Sequence, residues 1–334
     1  MEYLATIAVF FYNHEKYVKD TIESIIAQES KYPFKVLLID DHSTDNTRAI
    51  IDDLCNLYKQ DRLIKVYNEK NMGINDNFEQ IISILDTKYF FIIGGDDFWI
   101  DPHKVEKQLD ILEKNPEVSY VHTGFRCFVE NTGQYEGTHR SWKWKQPCVR
   151  KKRVISQFVD DWSFYPLAST SCMRTDILKR GLLEYNSLLH SYVPGEGTFI
   201  NVSMCMLGEQ YYFLPDITTV YRIRNESLSK TQDSAKKYYR QYQFLKEMID
   251  AIKLIGLNPK RQHFFYWYSL TWLSCLAKTT ISISNFKKNL KEMELEIPWQ
   301  EKLFFKLITC CGLFITFNTK MLQLVCVLRK FVAF

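Results

Sequence analysis

The feature that most constrains this chain is a rhythm running from its first residues to Asn115, in which short apolar runs stop abruptly at polar loops and give way to apolar residues at helical spacing. Leu4 to Phe11, rich in Ile, Val and Phe, gives way to Tyr12-Asn13, with Asn13 as a helix-entry residue before Tyr17, Val18, Ile22, Ile25 and Ile26. Phe34 to Ile39 is stopped by Asp40-Asp41-His42-Ser43-Thr44-Asp45, ahead of a helix carrying Ile50, Ile51, Leu54 and Leu57. Leu63 to Tyr67 leads through the polar loop Asn68 to Asn77, with Gly73, into Phe78, Ile81, Ile82 and Leu85. Tyr89 to Ile93, wholly apolar, ends at Gly94-Gly95-Asp96-Asp97, and Asp101-Pro102 opens a helix with Val105, Leu109 and Leu112 on one face. Alternating strands and helices of this kind imply an α/β fold, a parallel sheet joined by right-handed crossovers.

Ligands in such sheets bind at the carboxyl ends of the strands, so the loops at Tyr12-Asn13, Asp40-Asp41 and Asp96-Asp97 are expected to meet at one edge. Two consecutive carboxylates after a buried strand repel one another, and a divalent cation bridging to phosphate oxygens is the usual compensation. The bland alternative is one helix cap and one solvated Asp. Asp40-Asp41 is weaker by itself, because an acidic helix cap explains it. A carboxylate there can also accept hydrogen bonds from a base N–H or a ribose hydroxyl. No GxGxxG or Walker A sequence occurs, which argues against NAD and ATP sites.

Beyond Val118 to Phe128 the pattern loosens, and the aromatic and basic stretch from His139 to Arg153 has no clear assignment. Regular signals return with Ala168 to Met173 and the helix-like Gly195 to Leu207. From Ser234 the chain reads as helices: one through Tyr239, Tyr242, Leu245, Ile249 and Ile252, one from His263 to Ile283, and one or two from Trp299 to Phe334. With 334 residues, 46% hydrophobic and 25% charged, the organisation expected is a catalytic α/β domain over 1–232 and a helical extension over 233–334. A net charge of +4, mixed in sign, gives no argument for nucleic acid. Nine cysteines without a CxxC pair or a Cys/His set fit reduced thiols in a cytoplasmic protein. The first residues read as a core strand, not a signal peptide. Leu303 to Phe317 falls short of the roughly 20 apolar residues a spanning helix needs. Lys302, Lys306, Lys320, Arg329 and Lys330 punctuate these last stretches, as in helices that rest on a bilayer interface; packing on the catalytic domain or in a homodimer is the alternative.

Taken together, the motifs from Leu4 to Ser229 resemble the family 2 glycosyltransferases, which have the GT-A nucleotide-diphospho-sugar transferase fold. The residues that carry the resemblance are Phe11-Tyr12-Asn13 with Glu15 and Tyr17, Ile39 to Thr47, Asn71-Met72-Gly73 with Asn75 and Asn77, and Gly95-Asp96-Asp97-Phe98-Trp99 with Asp101-Pro102. The resemblance implies that Tyr12 and Asp41 contact the nucleobase, with Asn13 nearby. It also implies that the Asn71 to Gly73 loop holds nucleotide or sugar, that Asp96 faces ribose or sugar, and that Asp97 is the direct Mn2+ or Mg2+ ligand. The family's base lies near a helix in the second half of the domain, often an Asp after Gly; Gly195-Glu196-Gly197 occupies the corresponding place, with Asp160, Asp161 and Asp176 as weaker rivals, and an ordinary helix-start acid is the alternative reading of Glu196. Tyr221-Arg222-Ile223-Arg224 with Ser227 and Ser229 resembles the family's closing Tyr-Arg-x-His segment, with Arg224 where His is common; a basic surface loop is the alternative. A guanidinium there can bind a diphosphate bidentately but cannot ligate a metal. Two further departures are Phe10-Phe11 for the usual Pro-Thr and His42 for the common Gly.

The activity expected is metal-dependent, inverting transfer of a hexose or N-acetylhexosamine from a nucleotide sugar, UDP being the expected nucleotide, to a lipid-linked cell-surface glycan at the inner face of the plasma membrane. The rival is a non-catalytic partner that binds nucleotide sugar or glycan within a polysaccharide assembly complex.

Overall fold

The computed structural model describes residues 2–139, 148–150, 166–191, 195–224, 234–257 and 283–293. Asp160, Asp161, Ser227, Ser229, most of the His139 to Arg153 stretch, nearly all of the helix expected from His263 to Ile283, and the segment from Trp299 to Phe334 lie outside these residues. The chain divides into two compact units, and the first, ending at Arg224, contains the entire described sheet.

The first unit opens as the rhythm requires. Strands β1 (Ala5–Phe11), β2 (Phe34–Asp40), β3 (Leu63–Tyr67) and β4 (Tyr89–Gly94) alternate with helices α1 (Val18–Ile26), α2 (Thr47–Tyr58) and α3 (Ile74–Ile84), and α4 (Lys104–Lys114) follows. The strands stand in the order β3-β2-β1-β4 and are all parallel. Period two explains the layering. In β1 and β4, Ile7, Val9, Phe11, Tyr89, Phe91 and Ile93 share one core with Val18 and Ile22 of α1, Ile51 of α2 and Val105 and Leu109 of α4. Phe10 and Phe90 lie against Phe78 of α3, which meets Phe199 of a later helix. Strands covered on both faces read as continuous apolar runs, as these do.

The second half of the sheet is mixed. Strand β9 (Ser171–Arg174) runs antiparallel between β4 and β6 (Val118–Val129), and β10 (Gln210–Ile223) lies parallel to β6. The two-residue β5 (Phe98–Trp99) pairs antiparallel with the far end of β10. Short strands β7 (Gln134–His139) and β8 (Cys148–Arg150) flank β6 and β10. Helices α5 (Thr175–Ser191) and α6 (Glu196–Leu207) complete the unit. Every residue of α6 from Thr198 to Cys205 is buried, which suits a helix that is apolar nearly all round.

Within the second unit, α7 (Ser234–Leu254) and α8 (Ile283–Glu292) are described. Tyr242, Leu245, Ile249 and Ile252 are buried, whereas Tyr239 is 56% exposed. Among the described residues, no helix is long and apolar enough to cross a membrane.

Candidate active site

The loops after β1 and β2 interlock at the carboxyl edge of the sheet. Ser43 Oγ accepts a hydrogen bond from the Asn13 N–H at 2.9 Å, and Asn13 Oδ1 accepts one from the Thr44 N–H at 2.8 Å. Thr47 Oγ1 and Asp45 Oδ2 accept from the amides of His14 and Glu15, and Glu15 Oε2 accepts from the Asn46 amide. Asn13 is therefore a tie between loops in a left-handed conformation (φ 55), not the cap of α1, which begins after Tyr17. His42 also has positive φ (60), a conformation glycine adopts at no steric cost, which accounts physically for the family's Gly at this position. Tyr12, 45% exposed, stands beside this double loop.

Asp41 is buried, and its carboxylate organises the third loop. Oδ1 accepts from the Met72 N–H and from Asn68 Nδ2, and Oδ2 accepts from the Gly73 N–H, at 2.8–2.9 Å. Burial works against its ionised form, yet the hydrogen bonds from Met72, Asn77, Asn68 and Gly73 outweigh it and lower the pKa. Asp41 thus fixes the Asn71 to Gly73 segment at the start of α3, with Gly73 at φ 81 and Asn71 exposed. Its neighbour Asp40 is fully buried, accepting from Arg48 Nε at 2.5 Å and from the Ser43 N–H.

The Asp96-Asp97 pair separates into two roles. Asp97 is 2% exposed; its Oδ1 accepts from the Arg222 N–H at 3.0 Å and its Oδ2 from Ser169 Oγ at 2.8 Å. Burial, then the neighbouring Asp96 charge, push its pKa up to about 8. Both oxygens are turned into the protein. This geometry departs from the expectation that Asp97 is the metal ligand, because the following turn folds its side chain beneath β10. Asp96 is the partly exposed member, with 18% of its side chain accessible, and its Oδ2 lies 2.8 Å from the Arg224 guanidinium. Arg222 Nε donates to the Asp96 carbonyl, and its other end reaches Asp20 at 2.9 Å. Gly95 has to be glycine for packing reasons: a Cβ there would stand 2.2 Å from Phe11 Cδ1 and 2.8 Å from the Phe10 carbonyl oxygen. Thr21 Oγ1 of α1 lies 2.8 Å from the Asp97 carbonyl oxygen and 3.0 Å from that of Gly95, clamping the turn from the helix side.

Sequence reasoning missed His14 and Ser169, and it placed Arg222 in the closing segment without its contacts to Asp96, Asp97 and Asp20. His14 Nε2 lies 3.3 Å from the Arg224 guanidinium, and burial lowers the imidazole pKa to about 4, so it is neutral near pH 7. Tyr17 lies under both Arg222 and Arg224, 5.0 and 5.1 Å from ring centre to guanidinium carbon. The contacts of Ser169 and Arg222 to Asp97 become visible only once β9 and β10 are known to pair with β4 and β5.

Glu196 opens α6. Its Oε2 is buried without a hydrogen-bond partner, and burial raises its pKa to about 7. The preceding Gly195 N–H donates to Asn75 Oδ1 at 2.9 Å, in the first turn of α3. Glu196 is therefore joined through that turn to the loop Asp41 holds. A Cβ on Gly195 would fall 2.4 Å from the Leu189 carbonyl oxygen, so this approach also requires glycine. The structure brings Asp96, Arg224 and His14 into one cluster, and Asp41, Gly73 and the Glu196 helix start into a second. The end of β1 joins them, its Phe10 and Phe11 carbonyls accepting from Gly95 and Asp41.

An uncharacterized protein of Mycobacterium tuberculosis is 32% identical over 120 residues, 36% of this chain and 34% of that protein, so the chain spans about a third of that relative's length. An uncharacterized glycosyltransferase of Methanocaldococcus jannaschii is 27% identical over 301 residues, covering 88% of this chain and 96% of the other. TuaG of Bacillus subtilis, whose name assigns it to teichuronic acid biosynthesis, is 27% identical over 120 residues, 36% of this chain and 46% of that one. Among solved structures, Staphylococcus aureus TarS 1–349 in complex with UDP superposes with a TM-score of 0.53 at 17% identity, covering 89% of this chain and 76% of that one. The Pyrobaculum calidifontis mannosyltransferase PcManGT, in complex with GDP-Man and Mn2+, superposes with a TM-score of 0.55 at 12% identity, covering 95% and 88%. The profile described as Glycosyl transferase family 2 matches residues 6–176, half of the chain, and the chain belongs to that family, with the GT-A fold.

Proposed function

We propose that this chain transfers a hexose or N-acetylhexosamine from a nucleotide sugar, with UDP as the nucleotide, to a hydroxyl of a lipid-linked cell-surface glycan, with inversion at the anomeric carbon. The observation that carries the reading is Glu196: a partly buried residue whose enclosed Oε2 has no hydrogen-bond partner and whose pKa is raised to about 7, the properties a general base requires. In the step proposed, Glu196 takes the proton of the acceptor hydroxyl while that oxygen bonds to the anomeric carbon. The bond from that carbon to the phosphate oxygen breaks, and its electron pair leaves with the diphosphate.

Asp96 fits a divalent cation better than Asp97, since it is partly exposed and its neighbour's oxygens are both engaged. A cation there, Mn2+ or Mg2+, would neutralise charge on the departing diphosphate. Arg224 would bind the same diphosphate, the bidentate role for which a guanidinium is suited. Tyr12, Asn13 and the loop from Asn71 to Gly73, organised by Asp41, would hold the nucleoside. The UDP and the GDP-Man with Mn2+ in the two solved structures, and the name of TuaG, support the donor class and the polymer acceptor. The proposed setting is the cytoplasmic face of the membrane, with residues 233–334 as the helical extension that touches membrane or a second copy.

The test is a panel of labelled nucleotide sugars offered with lipid-extracted acceptors, following release of nucleoside diphosphate. Turnover by the parent and its loss in Glu196→Gln supports the reading; full-rate transfer by that variant would overturn the base assignment. Donor binding without turnover on any acceptor would favour the non-catalytic partner.

A further inference from the structure

Arg224 has more than one possible acceptor. Its guanidinium lies 2.8 Å from Asp96 Oδ2 and 3.3 Å from His14 Nε2, stacked over Tyr17, while its own buried Nε has no hydrogen-bond partner. The missing side chain at position 94 favours this pairing. A Cβ on Gly94 would stand 2.9 Å from Asp96 Oδ1, so the glycine leaves the carboxylate this position without adjustment. The Arg224 guanidinium thus places its positive charge against the carboxylate that a cation would need. A divalent cation approaching Asp96 meets that guanidinium as a competitor of like charge. A diphosphate offers the guanidinium a second anion, with two oxygens for its two-pronged donor edge and one more acceptor for the unpartnered Nε.

We propose that Arg224 couples the two halves of donor binding: it pairs with Asp96 until a nucleoside diphosphate takes it, and that exchange opens Asp96 to the cation. The coupling rests on the donor-site reading above and adds to it an order and a residue responsible for it. Because binding linkage is reciprocal, the cation favours the nucleotide by the same factor as the nucleotide favours the cation. An arginine that merely adds positive charge to the site would weaken cation binding equally with and without nucleotide. An arginine that changes partner weakens it chiefly without.

The measurement is Mn2+ affinity, read from the electron paramagnetic resonance of free Mn2+, with and without saturating UDP, for the parent, Arg224→Gln and Arg224→Lys, each checked for a cooperative melt. UDP is expected to raise Mn2+ affinity in the parent, and that enhancement is expected to fall about three- to tenfold in Arg224→Gln, because Mn2+ alone binds that variant more tightly. Arg224→Lys, which keeps a charge able to pair with Asp96, is expected to retain most of the enhancement. An unchanged enhancement in Arg224→Gln, with UDP still promoting Mn2+ binding, would overturn the coupling and leave the donor site standing. No effect of UDP on Mn2+ affinity in the parent would overturn both.

Discussion

Glu196→Gln separates stability from catalysis with opposite signs. The carboxyl of Glu196 has a pKa raised from 4.5 to about 7 by burial, with no side chain supplying a compensating charge. A carboxyl whose folded pKa lies above its unfolded value makes the folded state the better proton binder. Stability contributed by this group is therefore greatest at low pH and declines as pH rises from about 4.5 to about 7. Above that window the ionised, enclosed carboxylate costs about 3 kcal/mol relative to its protonated form, from about 1.4 kcal/mol for each pKa unit. Glutamine resembles the protonated acid and does not titrate. Between pH 5 and pH 8, the stability difference between variant and parent should move by about 2.5 kcal/mol in the variant's favour, or roughly 5–10 °C in melting temperature for a unit of this size. Denaturant melts at both pH values read the first quantity. Transfer by the same variant should fall by about 10²–10⁴ while nucleotide affinity holds. In the parent, activity should drop below about pH 7 as the base is protonated. A stability difference that stays constant between pH 5 and 8 would show that the carboxyl is not enclosed as the structure has it, whatever happens to the rate.

Other perturbations report on the frame around the site. Asp97→Ala leaves the buried Arg222 N–H and Ser169 hydroxyl without their acceptor, and denaturant unfolding should show a loss of about 2 kcal/mol or more. Asp41→Ala releases the Met72 and Gly73 amides and should weaken UDP binding about tenfold by calorimetry, with a smaller effect on the melt. Gly95→Ala drives a methyl into Phe11 and the Phe10 carbonyl, and should lower stability by about 1–3 kcal/mol in thermal scans.

The parallel half of the sheet is legible because β1, β2 and β4 are buried on both faces and end at charged loops, so apolar run and polar stop coincide with strand and crossover. Strand β3 spans the same Leu63 to Tyr67 that its apolar character marks. The mixed half is harder to read. Strand β10 contains Pro215-Asp216 and shifts register between Leu214 and Thr219, which breaks the alternation that would announce a strand of this length. Helix α5 carries a non-helical residue at Tyr185 and goes unrecognised for a similar reason.

The same division governs the site. Asp41 and Asp96 are visible as strand-end carboxylates in local sequence. Which of Asp96 and Asp97 turns outward depends on Arg222 and Ser169, which lie 125 and 72 positions away in the chain. His14 carries no local signal, since its place against Arg224 is set by the docking of β10 against β5.

Calorimetric titration of UDP with Mn2+ or with EDTA, on the parent and on Asp96→Ala, bears on the donor site as a whole. Binding that requires Mn2+ in the parent and loses that requirement, with most of its affinity, in Asp96→Ala is the outcome expected from the exposed carboxylate beside Arg224. Failure of the parent to bind UDP, GDP, CDP or dTDP with Mn2+ present would contradict the assignment of this cluster to a nucleotide-sugar donor.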